Sequence, residues 1–178
     1  MKVIIVIVVF VVFLVFYHKS QKEEPRTTRV SSEPKNTTRK SAISRRFRIA
    51  GLSHRCTRKD IGIVMGKVGY DPTNEYDPNA IAIIANIEQP NEKLLGFIPR
   101  DSQATFANFA YKQQELPFLG FIEEFTNDEG RKMLFGKIKA YTGTDESIEA
   151  EMSDDLKYLT SAFEEKNYSK RIEMLDIW

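Results

Sequence analysis

Cysteine occurs once in the 178 residues, at Cys56, so no disulfide forms within the chain and no cysteine-rich metal site can be assembled. Histidine occurs twice, at His18 and His54, and with a single thiol these fall short of the usual zinc sets. No metal and no cofactor is therefore expected. Cys56 has no partnered His and Asp nearby in the sequence, and it reads as a small buried apolar group instead of a nucleophile. The stretch Gly130 to Ile138 has five residues between its glycines and no Ser or Thr after Lys137, which excludes a phosphate loop. Carboxylates are plentiful, but their spacing suggests no general acid/base pair, and an enzyme is not expected.

An overall charge of one sign is also lacking, since the formal net charge is +1. That near-balance conceals a segregation. Residues 18–48 carry ten Lys/Arg against three Asp/Glu, residues 49–113 carry seven of each, and residues 114–178 carry eight against fifteen. A basic arm that could meet phosphates thus precedes an acidic end that would repel them, and a nucleic-acid site should avoid the C-terminal third.

What the chain does have is one long apolar run, Val3 to Tyr17, followed by His18, Lys19 and Lys22. As a helix its fifteen residues span roughly 22 Å, short of a bilayer core of about 30 Å, so Tyr17, His18 and Lys19 would reach the interface. No small-x-small cleavage site follows the run, which favours an uncleaved transmembrane anchor over residues 1–18, with residues 3–17 in the membrane. The basic residues on the C-terminal flank place the bulk of this single-pass chain in the cytoplasm. The sequons at Asn36 and Asn167 would matter only in a glycosylating lumen.

Residues 19–45 are rich in Ser, Thr, Lys, Arg and Pro and nearly free of apolar side chains. They read as a disordered basic linker, either spacing the domain from the membrane or lying on anionic headgroups.

From residue 46 the pattern changes to short strands. Arg46 to Gly51 alternates polar and apolar residues and ends in a turn, and Ile61 to Val68 is β-branched. A long polar turn, Tyr70 to Asn79, feeds the apolar strand Ala80 to Ile84, and Leu94 to Pro99 is its partner. Asp101 or Ser102 would cap a helix running to about Gln113, with Ala104, Phe106, Ala107, Phe109 and Ala110 on its buried face. Phe118–Phe125 and Arg131–Tyr141 flank Thr126-Asn127-Asp128-Glu129-Gly130, a hairpin signature. A last helix is expected from about Glu149 to Glu165, ending near Asn167, followed by a tail to Trp178. Residues 46–142 thus form a small β-barrel or curled sheet with helices on it, and residues 143–178 a C-terminal helix and tail.

The segment Asn74-Glu75-Tyr76-Asp77-Pro78-Asn79-Ala80-Ile81, followed fifteen residues after Ile81 by Gly96-Phe97-Ile98-Pro99-Arg100, resembles the core motif of the HIRAN domain. That motif is approximately NPYDxNAI, then a strand ending G-x-[IL]-P-[RK] and a helix, and the resemblance covers roughly residues 46–125. It implies an OB/SH3-like β-barrel fold, mainly β with helices. It also implies a non-catalytic module of the kind that captures the 3′ end of single-stranded DNA in fork-remodelling ATPases. Asn74, Tyr76 and Asp77 would then form the pocket, with Tyr76 stacking on a terminal base, Asp77 accepting from the 3′-hydroxyl and Arg100 meeting a phosphate. Glu75 stands where the family often has Pro, and Phe97 where some members have a polar residue. The first strand's end lacks the Arg-Tyr-Tyr of DNA-binding members, so the second stacking aromatic is missing, and His54 or Arg55 would substitute for it by planar stacking. The alternative is a protein-interaction domain at the cytoplasmic membrane face, docking a partner through the acidic last helix and the hairpin.

Overall fold

The protein is described by a computed structural model, which covers residues 42–88, 91–110 and 115–178. The expected anchor, and the linker up to residue 41, lie outside the described residues. Among the described residues no helix is long and apolar enough to cross a membrane.

Among the described residues six strands and four helices follow one another. They are β1 (Ile43–Arg48), α1 (Leu52–Arg55), a 3-10 turn (Arg58–Asp60), β2 (Gly62–Tyr70), β3 (Ile81–Glu88), β4 (Asn91–Phe97), α2 (Arg100–Phe109), β5 (Leu116–Thr126), β6 (Lys132–Thr142), α3 (Asp145–Glu164) and α4 (Tyr168–Ile177). The strands form one antiparallel sheet in the order β1-β6-β5-β2-β3-β4. The fold is α+β. β1 starts at Ile43, within the stretch expected to be linker, because Phe47 provides a buried anchor for a strand whose other side chains are polar or exposed.

The sheet is not closed into a barrel, which corrects the OB/SH3-like expectation. Among the described residues its two edges meet only at one corner, where Ala50, just past β1, and Phe97 exchange backbone hydrogen bonds of 2.8 and 3.0 Å. The approach is close enough that a Cβ on Gly96 would lie 2.2 Å from the Ala50 carbonyl oxygen. Pairing stops there because Gly51, at φ +83°, turns the chain into α1. Leu52 and Cys56 then fill the corner in place of further strand pairing.

Strand alternation gives the sheet two apolar faces. One carries Phe47, Val68, Ile81, Ile83, Leu95, Phe118 and Ile138, and α2 closes it with Phe106. The other carries Met65, Leu119, Phe121 and Tyr141 beneath α3 and α4, with Phe121 packed edge-on against Phe163 and Trp178. Asp155 of α3 ties this layer together by accepting from Lys139 Nζ and Tyr141 Oη, each at 2.7 Å, and from Trp178 Nε1 at 3.2 Å. Burial, then the bond to Asp155, push the Tyr141 hydroxyl far above its ordinary pKa, so it stays a donor.

The helices depart from expectation in three ways. The N-cap of α2 is Pro99, without a side-chain cap, instead of Asp101 or Ser102. Proline fixes φ near the helical value and gives up a donor that would be unpaired there anyway. Only Phe106 and Ala110 of its expected buried face are buried, Phe109 is partly so, and Ala104 and Ala107 are exposed. Finally, the tail is a helix. Asn167, read as a terminator, instead caps α4 by accepting from the Lys170 N–H at 3.1 Å.

Candidate functional site

The polar turn between β2 and β3 is tied by its own short side chains. Asp71 Oδ1 accepts from the Thr73 N–H at 3.1 Å and its hydroxyl at 2.7 Å. Asn74 Oδ1 accepts from the Tyr76 and Asp77 N–H groups at 3.0 and 3.1 Å, and Asp77 Oδ1 from the Asn79 N–H at 2.9 Å. Three successive Asx-type ties of this kind fix the backbone without any buried core beneath the loop. The turn closes where the Asp71 N–H donates to the Ala80 carbonyl at 2.8 Å and β3 begins.

The first turn of α2 clamps this loop from the side. Arg100 Nε donates to Asp77 Oδ2 at 3.2 Å and its Nη2 to the Tyr76 carbonyl at 3.3 Å, while Gln103 Nε2 donates to Asp77 Oδ2 at 2.9 Å. Residues 100 and 103 share a helix face at i,i+3 spacing, which brings both donors to one carboxylate. Tyr76 makes no use of its ring in any of this and is 88% exposed. A fully exposed aromatic on an ordered loop presents a π face to solvent at little entropic cost for a ligand that stacks on it.

The Asp77 carboxyl is held below its ordinary value of 3.8, first by the Gln103 amide, then by the Asn79 N–H and the charge and hydrogen bond of Arg100. A carboxyl with a depressed folded pKa stabilises the native state above its ordinary value and loses that contribution as pH falls through the folded one. The clamp is therefore expected to be intact at neutral pH and to open only below pH 3.8. In an NMR titration the Gln103 side-chain amide should move in that acid window, whereas a midpoint above it would show that Asp77 is not so held.

Asn74, Tyr76, Asp77 and Arg100 are thus brought together. His54 and Arg55 are not: both lie on α1, and no hydrogen bond or ion pair joins them to the loop among the described residues. The Arg55 guanidinium sits 5.1 Å from the Phe97 ring centroid, so it already stacks on a protein aromatic, and His54 is exposed. Gln103 was missed from sequence because a lone glutamine carries no motif. Its signal was its place three residues after Arg100 on a foreseeable helix.

Beside the loop lies an open groove of about 220 Å³, lined by Tyr70, Pro72, Ile84 and Leu94 and by Lys67, Asp71 and Glu115. Lys67 is neutralised by Glu92 at 3.3 Å and Glu115 at 3.5 Å, so this groove does not attract phosphate. Cys56 is buried, and burial raises its thiol above the ordinary value of 9.0, which leaves little nucleophilic thiolate at neutral pH. Among the described residues no group of three or more His, Cys, Asp or Glu side chains could hold a metal ion. In comparisons with known proteins, the chain matches no family model, no curated protein and no solved structure.

Proposed function

We propose that the chain is a membrane-tethered, HIRAN-like, non-catalytic module that binds the 3′ ends of single-stranded nucleic acid, DNA above all, at the Asn74–Arg100 site. The observation that carries this reading is the Tyr76 ring, 88% exposed on a loop fixed by hydrogen bonds and clamped by a cation. A terminal base stacks on Tyr76 whatever its identity. Arg100 spends Nε and Nη2 on the protein, and its Nη1 remains for a phosphate. Asp77 accepts three hydrogen bonds, and a carboxylate offers about four acceptor positions, so one is left for a 3′-hydroxyl. The same negative charge repels a 3′-phosphate. Residues 3–17 supply the tether, with the domain on the cytoplasmic side.

The test is fluorescence anisotropy with short single strands ending in 3′-hydroxyl or 3′-phosphate. Tyr76→Ala is expected to weaken binding by about 5- to 150-fold, the value of one stacked base. Asp77→Asn keeps an acceptor for the Asn79 N–H but sets an amide NH2 against the Arg100 and Gln103 donors, so it removes the charge and loosens the clamp together and should shrink the preference for the hydroxyl end. Equal binding of both ends by the unaltered protein would refute the assignment of Asp77.

One observation favours a second reading, a protein-interaction domain: Glu146, Glu149 and Asp154 of α3 are exposed along one acidic helix. Deleting that helix would not test it, since Ile148, Met152, Leu156, Leu159 and Ala162 are buried against the sheet. A partner captured despite nuclease and Tyr76→Ala, but lost on Glu146→Lys with Glu149→Lys, would favour this reading over the first.

A further inference from the structure

Residues 35–59 contain nine Lys or Arg and no Asp or Glu, and the described part of this stretch includes one edge of the sheet. β1 is the terminal strand of the sheet, so one side of its backbone has no strand partner among the described residues. By strand alternation Arg45 emerges on the Phe47 face and Arg46 and Arg48 on the opposite one, so their long side chains flank the open edge from both sides. All three are exposed. Arg46 Nη1 donates to the Ile177 carbonyl at 3.4 Å, whereas Arg45 and Arg48 have no hydrogen bond or ion pair among the described residues. The next strand in behaves differently: Lys137 pairs with Asp176 at 2.9 Å, and Lys139 with Asp155 at 2.7 Å and Glu151 at 3.0 Å. The interior row of cations is neutralised by α3 and α4, and the rim row is not. Arg55 adds to the rim, since its guanidinium lies 3.3 Å from where a Cβ on Gly51 would stand, against the turn that ends this edge.

We infer that this β1 edge, continued by the α1 turn, is a docking surface for anionic lipid headgroups. Three features select a lipid surface over a nucleic-acid strand. The patch offers no stacking platform, because Phe47 is 4% exposed and the Phe97 ring is covered by Arg55, so a ligand is held by phosphate charge without its bases. Ile43, 59% exposed at the start of the strand, is tolerated by a headgroup layer and has nothing to do in a phosphate track. In sequence, β1 begins at Ile43, 26 residues past Tyr17, whereas the acidic helix α3 begins only at Asp145, so this edge has the shorter covalent tether to the apolar run of residues 3–17. Arginines on an edge strand also deter strand addition by other chains, which explains charge there but not the absence of any acid over the whole stretch.

This inference extends the tether in the proposed function and rests on residues 3–17 entering a membrane. The experiment is hydrogen exchange of the full chain reconstituted in nanodiscs of phosphatidylcholine, with or without phosphatidylglycerol, at low and high salt. Co-elution with the uncharged discs establishes the tether independently, and failure to co-elute overturns the tether and the inference together. With the tether in place, the amides of Ile43–Arg48 and Leu52–Arg55 are expected to exchange roughly fivefold or more slowly on anionic discs, since one cation near an anionic surface contributes about fivefold. High salt should abolish the difference. Arg45→Gln with Arg48→Gln, which removes no hydrogen bond or ion pair among the described residues, should return exchange to the level on uncharged discs while leaving α3 and α4 unaffected. Unchanged exchange on anionic discs overturns the inference. So does a double variant that keeps its lipid protection but weakens oligonucleotide binding, which would assign the edge to nucleic acid.

Discussion

Replacing Arg171 by alanine is expected to lower the free energy of unfolding by about 3–5 kcal/mol, the penalty for stripping one partner from a buried ion pair. Its partner Glu123 lies on β5 beneath α4 and is 3% exposed. The Arg171 Nε and Glu123 Oε2 atoms are 2.9 Å apart, yet the N–H is not aligned for a hydrogen bond, so this contact holds mainly by charge. The other carboxylate oxygen accepts from the Glu124 N–H at 2.9 Å. Without the guanidinium, the carboxylate has one backbone donor and no cation in a dry setting. It must then take up a proton or draw in water, and α4 lifts. Arg171 also lies 5.5 Å from the Tyr168 ring centroid, and α4 buries Leu175 and brings Trp178 onto Phe121, so detachment uncovers an aromatic cluster as well. Urea titration followed by tryptophan emission measures the loss, because Trp178 is the sole tryptophan and sits in that layer. The double variant Glu123→Leu with Arg171→Met should recover most of it, since an apolar pair of similar size leaves no charge to strand. A double variant as unstable as the single one would show that packing of the Arg171 stem, and not the ion pair, sets the value.

Elements with local punctuation were readable from sequence. The β5–β6 hairpin follows its Asn127-Asp128-Glu129-Gly130 turn, with Asn127 Oδ1 accepting from the Glu129 and Arg131 N–H groups and Gly130 at φ +75°. The polar turn before β3 was likewise set by Asp71, Asn74 and Asp77, whose side chains act on backbone two or three residues away. What escaped depends on distant partners. β1 begins among arginines that look like linker, and only its pairing with Lys137 through Thr142 across the sheet makes it a strand. Helix α4 has few buried residues and is held by Glu123, far away in sequence. The strand pattern left a barrel and a curled sheet open and the resemblance favoured closure, which failed at Gly51, a single residue whose conformation depends on the corner it turns. In the site, Asn74, Tyr76 and Asp77 are neighbours in the chain and were found together, whereas the Arg100–Asp77 and Gln103–Asp77 contacts required α2 to be laid against the loop. His54 and Arg55 were chosen for planar chemistry alone, and Phe97 already occupies Arg55.

What lays α2 against the loop is a single ring, and Phe106→Ala is the second large effect. Phe106 is fully buried and meets three aromatic rings, with centroids 5.6 Å from Phe47, 5.9 Å from Tyr70 and 6.5 Å from Phe109. Truncation removes the main apolar anchor of the helix and leaves a cavity, at an expected cost of about 3–5 kcal/mol in chemical denaturation. The more informative consequence is local. Tyr70 ends β2 immediately before the polar turn, and Arg100 and Gln103 lie within two turns of Phe106 on the same helix, so the ring sets the distance between the two halves of the site. Phe106→Leu keeps an apolar filler and should retain the fold with a smaller loss, while the helix gains freedom to tilt. In that variant, under conditions where it is fully folded, the Gln103 side-chain amide should lose its Asp77-dependent shift and oligonucleotide binding should fall, although no residue that would touch the ligand has changed. If Phe106→Leu weakens the fold yet leaves the clamp and binding as they were, the Asx ties of the loop alone position Tyr76, and Arg100 and Gln103 are additions to a loop already formed.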